Sequence, residues 1–184
     1  MLDLPTAAKL MRDAFKTRNQ RKMRKANDKI MREWALSHSK ELYQLSVYSY
    51  VLSKVLSKPR FMGRAYAEKH KQIDSMLSKL VSLAEKEDRR TFMKTLTKLK
   101  SSIKDVESSD ARYIKNMFEK GRLKTAATLY AQGLSLSAAS EITGVEKQEI
   151  MDYAGKTLMF DRMEDGKPLS KRLKNAKHML IGGK

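Results

Sequence analysis

Basic side chains recur along one side of the first part of this chain, and phosphate binding is the chemistry they suit best. On a helix that turns about 100° per residue, six of them fall within an arc of about 100°. The six are Arg18, Arg21, Lys22, Lys25, Lys29 and Arg32. Guanidinium and ammonium groups bind phosphate oxygens, so this stripe of about 20 Å predicts contact with a phosphate backbone.

A solvated face of a helical bundle is the first alternative explanation of the stripe. Only Asp28 interrupts eight basic residues between Lys16 and Arg32, whereas a face that serves solubility usually mixes both signs. A helix lying on a membrane is the second alternative, but residues 16–35 contain one Trp and neither Phe nor Leu. We therefore favour phosphate binding.

Residues that could catalyse a reaction are not grouped in this sequence. Cysteine is absent, and His38, His70 and His178 lie far apart without the spacing of metal ligands. No glycine loop for phosphate, no serine elbow and no catalytic pair of carboxylates is present. The sequence therefore predicts a protein without catalytic activity, metal or cofactor.

The net charge indicates the same kind of partner. Thirty-nine Lys and Arg against 21 Asp and Glu give +18. Such a surplus usually serves a polyanion, because each neutralised phosphate releases counterions. The alternatives are an anionic membrane surface, an anionic protein and simple solubility. By segment, the charge is +9 for residues 1–60, +5 for 61–120, 0 for 121–160 and +4 for 161–184.

The composition also bears on location. The absence of cysteine fits a reducing compartment, and the first residues lack the layout of a signal peptide. No apolar run approaches the roughly 20 residues that span a bilayer. We expect a cytoplasmic protein without a membrane span, associated with the nucleoid if its partner is chromosomal DNA.

Helices are expected to position these side chains, since Gly totals only 8 and Pro only 3. We predict an all-α fold with one helix from about Pro5 to Leu36, another from Lys40 to about Ser57, and an antiparallel hairpin over about residues 64–106. The hairpin provides a second basic arm. Its exposed basic positions are Lys86, Arg89, Arg90, Lys94, Lys98, Lys100 and Lys104.

The most specific pattern lies in residues 123–154. A small residue is followed four positions later by Gly, then at once by an apolar residue, with further apolar residues five and eight positions beyond that. These residues are Ser140, Gly144, Val145, Ile150 and Tyr153. The pattern resembles the helix-turn-helix DNA-binding family found in short regulators and antitoxins of archaea and bacteria. A three-helix unit that binds protein or nothing is the alternative.

The resemblance implies that the second helix of the motif enters the major groove through its early residues. Lys147 and Gln148 suit base contacts there, whereas Glu146, Glu149 and Asp152 repel phosphate. Backbone contacts must then come from elsewhere, namely from the N-terminal stripe and the basic C-terminal segment.

We divide the chain near residue 108, where small polar residues can cap the following helix. Residues 1–108 form the basic helical region with its hairpin, and residues 109–184 form the helix-turn-helix region. After Thr157 we expect a loop, with a small hairpin as the alternative, and from Pro168 a basic last helix.

Together these features predict a nucleic-acid-binding protein, with DNA favoured over RNA, that acts as a regulator or a DNA-packaging factor. The alternative is a ribonucleoprotein or protein-interaction module in which the motif contacts protein. Helical faces also offer contacts for a homo-oligomer or a protein partner. The candidate binding residues are Arg18, Arg21, Lys22, Lys25, Lys29, Arg32, Lys147, Gln148, Lys156, Lys171, Arg172 and Lys174.

Overall fold

The computed structural model describes residues 2–108 and 116–159, and it confirms the all-α fold for them. These residues form helices and turns and no strand. None of their helices is both long and apolar enough to cross a membrane. The helices are α1 (Leu4–Lys16), α2 (Gln20–Ser37), α3 (Lys40–Leu56), α4 (Ala67–Glu85), α5 (Arg89–Ser108), α6 (Met117–Ala131), α7 (Leu136–Thr143) and α8 (Lys147–Lys156), with short 3-10 turns at Pro59–Met62 and Arg64–Tyr66.

Contacts divide the chain into two compact units. Unit 1 comprises residues 1–122 and unit 2 comprises residues 123–184, so the division falls inside α6. The sequence-based division near residue 108 coincides with the end of α5. The division at that residue stays a prediction.

Helix α3 forms the centre of unit 1. Leu45, Val51 and Leu52 are fully buried, and most other residues of the helix are buried as well. Helix α2 packs along α3, α1 packs on α4 and α2, and α5 packs on α4 and α3. The hydroxyls of Ser46 and Ser49 donate to carbonyls three residues earlier, so these buried polar groups are satisfied within the helix.

The single helix predicted from Pro5 to Leu36 is wrong, because the chain turns between α1 and α2. Arg18 adopts a left-handed conformation with φ of 50°. The Asn19 side chain then starts α2 by accepting the N–H of Lys22 at 2.9 Å. The left-handed turn at Arg18 thus follows the end of α1, and the Asn19 cap begins α2.

The other helices predicted for unit 1 are confirmed. Helix α3 begins at Lys40 as expected, and α4 and α5 form the antiparallel hairpin. The ammonium of Lys69, near the start of α4, donates to the carbonyl of Asp105, near the end of α5, at 2.8 Å. Asp88 caps α5 by accepting the N–H of Thr91 at 3.0 Å. The predicted loop or hairpin beyond Met159 and the predicted last helix lie outside the described residues.

Candidate nucleic-acid interface

Five of the six cations predicted in the stripe lie on the solvent side of α2. We call this surface the α2 face, and it consists of Arg21, Lys22, Lys25, Lys29 and Arg32, all exposed. Met23, Ile30 and Trp34 occupy the opposite, buried side of the helix. The cations extend over about 16 Å at 1.5 Å per residue. Helical periodicity therefore predicted their common exposure correctly.

The cations of the α2 face form no ion pairs with the described acids. The ion pairs of the described residues include Lys9 with Glu85, Arg12 with Asp13, Arg18 with Asp74 and Lys71 with Glu68. No side chain of the α2 face takes part in an ion pair with a described residue. Within α2 itself, Asp28 is exposed between the cations.

The second acid of α2, Glu33, points away from the α2 face. It is buried and accepts the N–H of Leu2 at 2.7 Å. The face thus keeps most of its positive charge, which favours binding of an anion.

Contacts with α3 hold α2 in a fixed orientation. The Asn27 amide donates to the carbonyl of Ser46 at 2.7 Å and to the hydroxyl of Ser49 at 2.9 Å. Near the other end of α2, the rings of Trp34 and Tyr43 lie 5.3 Å apart. The α2 face is therefore part of a packed helix and displays its cations on a rigid support.

Arg18 does not belong to the α2 face, so its predicted place in the stripe is wrong. The chain leaves the helix at this residue, and the guanidinium reaches Asp74 of α4 with N–O distances of 2.6 and 3.2 Å. It also donates to the carbonyl of Phe15 at 2.8 Å and lies 4.5 Å from the centre of the Phe15 ring. Arg18 thereby fastens the corner between α1 and α2 to α4.

The influence of Arg24 of α2 on Lys54 of α3 was not predicted from the sequence. Partial burial, followed by the charges of Arg24 and Lys58, lowers the pKa of Lys54 below its usual range. The Lys54 ammonium lies 5.3 Å from the centre of the Tyr50 ring. Arg24 of α2 influences Lys54 of α3 because the two helices pack side by side. No sequence spacing indicates their proximity.

A second exposed basic surface, the α5 face, consists of Arg90, Lys94, Lys98 and Lys104. The opposite side of α5 carries the buried residues Phe92, Leu96, Leu99, Ile103 and Val106. Acids also lie near this surface. Hydrogen bonds with Thr91, followed by the charges of Lys94 and Arg90, lower the pKa of Asp88. Asp105 is exposed near Lys104 along the helix.

Unit 2 contains the segment that resembles a helix-turn-helix. Its core includes Ala126, Ala127, Ala139, Ile150 and Ala154, with Leu123, Tyr130, Leu134, Leu136 and Tyr153 packed around them. Helices α7 and α8 contact each other. The small residues of this core allow the backbones of the helices to approach closely.

The turn between α7 and α8 has the conformation expected of its glycine. Gly144 has φ of 63° and ψ of 29°, and its N–H donates to the carbonyl of Ser140 at 2.7 Å. Thr143, the residue before Gly144, is buried and donates its hydroxyl to the carbonyl of Ala139 at 2.6 Å. This hydrogen bond explains why a polar residue is tolerated there.

Replacing Gly144 by Val is expected to destabilise unit 2 by about 1–2 kcal/mol or more, because a β-branched residue is strained in the left-handed region. Gly144→Asn is the matched control, since Asn adopts this conformation more readily. Hydrogen exchange of the α7 and α8 amides measures the loss. Equal protection in the Val variant and the wild type would contradict this account of the turn.

The exposed surface of α8 is close to neutral. One of the two residues predicted to contact bases, Gln148, is hydrogen-bonded within the helix. Lys147, Gln148, Asp152 and Lys156 are exposed. The Gln148 amide donates to the Asp152 carboxylate at 2.8 Å, so this amide already has a partner within α8. Between residues 123 and 159, three basic and four acidic residues give a formal charge of −1.

The remaining predicted site residues, Lys171, Arg172 and Lys174, lie outside the described residues. The structure thus places predicted residues in two groups, five on α2 and three on α8, and it assigns Arg18 to an internal ion pair. The described residues contain no cluster of His, Asp or Glu that could hold a metal ion. No family model, curated protein or solved structure matches this chain.

Proposed function

We propose that this protein is a non-catalytic nucleic-acid-binding protein that holds the phosphate backbone on its α2 face. The observation that carries the proposal is the set of five exposed cations on one side of a rigidly packed helix, without ion pairs to the described acids. Double-stranded DNA carries one charge per roughly 1.7 Å of its axis, so a surface of about 16 Å faces several phosphates at once.

DNA is the favoured target because of unit 2. Its resemblance to helix-turn-helix proteins, together with the left-handed turn at Gly144, supports a role for α8 in groove contacts. With Gln148 hydrogen-bonded to Asp152, Lys147 is the main candidate for a base contact. Weak sequence preference combined with strong backbone binding suits a DNA-packaging factor or a regulator of modest specificity. Such a protein would act in the cytoplasm, at the nucleoid.

Titration of the full chain with equal lengths of duplex DNA, double-stranded RNA and single-stranded DNA tests this function. We expect duplex DNA to bind most tightly, with a slope of log affinity against log salt of about −4 or steeper, because each of five phosphate contacts contributes about 0.9. Fluorescence anisotropy at 50 and 200 mM salt measures it. Affinity that does not respond to salt would overturn the proposal.

The two exposed acids of α8 favour a second candidate function. Glu149 and Asp152 are exposed on this helix, and Met151 is exposed beside them. In a ribonucleoprotein or interaction module, this surface would contact protein while the α2 face binds RNA. Double-stranded or structured RNA that binds more tightly than duplex DNA in the same titration would support this candidate over the first.

A further inference from the structure

The α2 face and the α5 face belong to the same unit but to helices whose main packing partners differ. Helix α2 packs mainly on α3 and α1, and α5 packs mainly on α4 and α3. Each face lies on the side of its helix opposite to the buried residues, so each is directed away from the core. The charge of unit 1 is therefore presented on two separate surfaces.

Contacts along α3 show on which sides of it α2 and α5 lie. Ser46 and Ser49 receive hydrogen bonds from Asn27 of α2, whereas the Tyr48 hydroxyl donates to the Leu96 carbonyl of α5 at 2.7 Å. At about 100° per residue, Ser46 and Ser49 lie about 160° and 100° around α3 from Tyr48. The directions to α2 and α5 thus differ by roughly 130°.

The thickness of the bundle separates the two faces further. Helices that pack together have axes about 8–10 Å apart, so α2 and α5 are separated by roughly 16 Å with α3 between them. Their exposed sides point outward from this layer. The bundle therefore lies between the two faces. A straight duplex bound on one face cannot contact the other face at the same time.

We propose that unit 1 bridges two nucleic-acid segments, one bound on the α2 face and the other on the α5 face. This inference rests on the proposed function, because it requires that exposed cations bind phosphate. The α5 face spans about 21 Å from Arg90 to Lys104, which is comparable to the α2 face. Asp88 and Asp105 weaken the potential of the α5 face, so we expect it to be the weaker of the two.

A two-duplex capture assay with the full chain tests the bridge. One biotinylated duplex DNA is fixed to beads, and a second, fluorescent duplex is added with the protein. The wild type is expected to retain the fluorescent duplex. The variant Arg90→Gln, Lys94→Gln, Lys98→Gln should still bind the fixed duplex but retain at least about tenfold less of the second one, because three phosphate contacts are removed from one face only.

Two further variants make the assay decisive. Arg21→Gln, Lys25→Gln, Arg32→Gln should also lose bridging while it binds one duplex through the α5 face. Arg64→Gln, Lys71→Gln, Lys79→Gln removes the same charge from exposed positions outside both faces and should bridge like the wild type. Circular dichroism melting confirms that each variant is folded.

The possible outcomes separate the two proposals. Undiminished bridging by the α5 variant overturns the bridge, because a second copy of the chain or a single face then suffices. Loss of capture in the control variant to the same degree also overturns it, since net charge alone would be responsible. Failure of the wild type to bind even the fixed duplex would instead contradict the proposed function.

Discussion

Removing three cations of the α2 face is expected to reduce the slope of log affinity for duplex against log salt by up to ~3 units. The changes are Arg21→Gln, Lys25→Gln and Arg32→Gln. They are made in a parent protein whose α5 face already carries Arg90→Gln, Lys94→Gln and Lys98→Gln. Each lost phosphate contact removes about 0.9 from the slope of log affinity against log salt. Between 50 and 200 mM salt, the parent should lose affinity by about 500-fold and the variant by only about 10-fold. Glutamine preserves helix propensity, so the change isolates charge.

The α2 changes are measured in the protein with the altered α5 face so that only one face binds the duplex strongly. In the wild type, a duplex displaced from the α2 face can still bind the α5 face, and the slope should then change by about 1 unit only. One single-site comparison completes the experiment. Lys147→Ala should alter the slope by at most about 1 unit and reduce sequence preference instead, because one base contact is lost.

The result that would contradict the role of the α2 face is equally specific. If the α2 changes leave affinity and slope as they were while Lys147→Ala abolishes binding, the cations are a solvated surface and α8 supplies the affinity. The control variant at Arg64, Lys71 and Lys79 guards against a nonspecific effect of charge, since its slope should stay with that of the parent.

Helix positions and buried sides could be predicted because they depend on local periodicity. Apolar residues at steps of three and four indicated the hairpin, and the structure buries Ile73, Leu77, Leu96 and Ile103 as that pattern requires. The interruption of the first helix was missed because Thr17, Arg18 and Asn19 are all compatible with a helix by propensity. Asn is a common residue at the start of a helix, so Asn19 was a signal in the sequence that could have been recognised.

The candidate interface was predictable to a smaller extent. Exposure of Arg21, Lys25 and Arg32 follows from helical geometry alone, whereas the commitment of Arg18 to Asp74 spans 56 positions of sequence and depends on how α1 packs on α4. The proximity of Arg24 to Lys54 has the same tertiary origin. Such contacts arise from packing angles, which periodicity does not determine.

The arrangement of the two basic faces also depends on tertiary structure. The sequence indicated a basic first helix and a basic hairpin arm, but either could have lain beside the other on one surface. Burial of α3 between them decides the matter, because Ser46 and Tyr48 contact α2 and α5 from different sides. Helical periodicity in the sequence thus indicates which residues are exposed. The packing of the helices determines which of the exposed residues share one surface.

Trp34→Ala is expected to be the most destabilising single change considered for unit 1, costing about 3–5 kcal/mol in the free energy of unfolding. Trp34 is 2% exposed on the buried side of α2, and its ring contacts that of Tyr43 in α3. Removing it leaves a cavity between the two helices that display and support the α2 face. Because Trp34 is the only Trp of the chain, urea unfolding is followed by circular dichroism rather than by fluorescence.

Leu36→Ala is the matched control for that change, since Leu36 lies two residues further along the same helix and is 77% exposed. Its removal should alter the free energy of unfolding by about 0.5 kcal/mol or less. Below its melting temperature, the Trp34→Ala protein should bind duplex with the wild-type salt slope, because every cation of the α2 face remains. If the Trp34→Ala protein has the same free energy of unfolding as the wild type, Trp34 does not anchor α2 on α3. The α2 face then lacks the rigid support that this contact would give it.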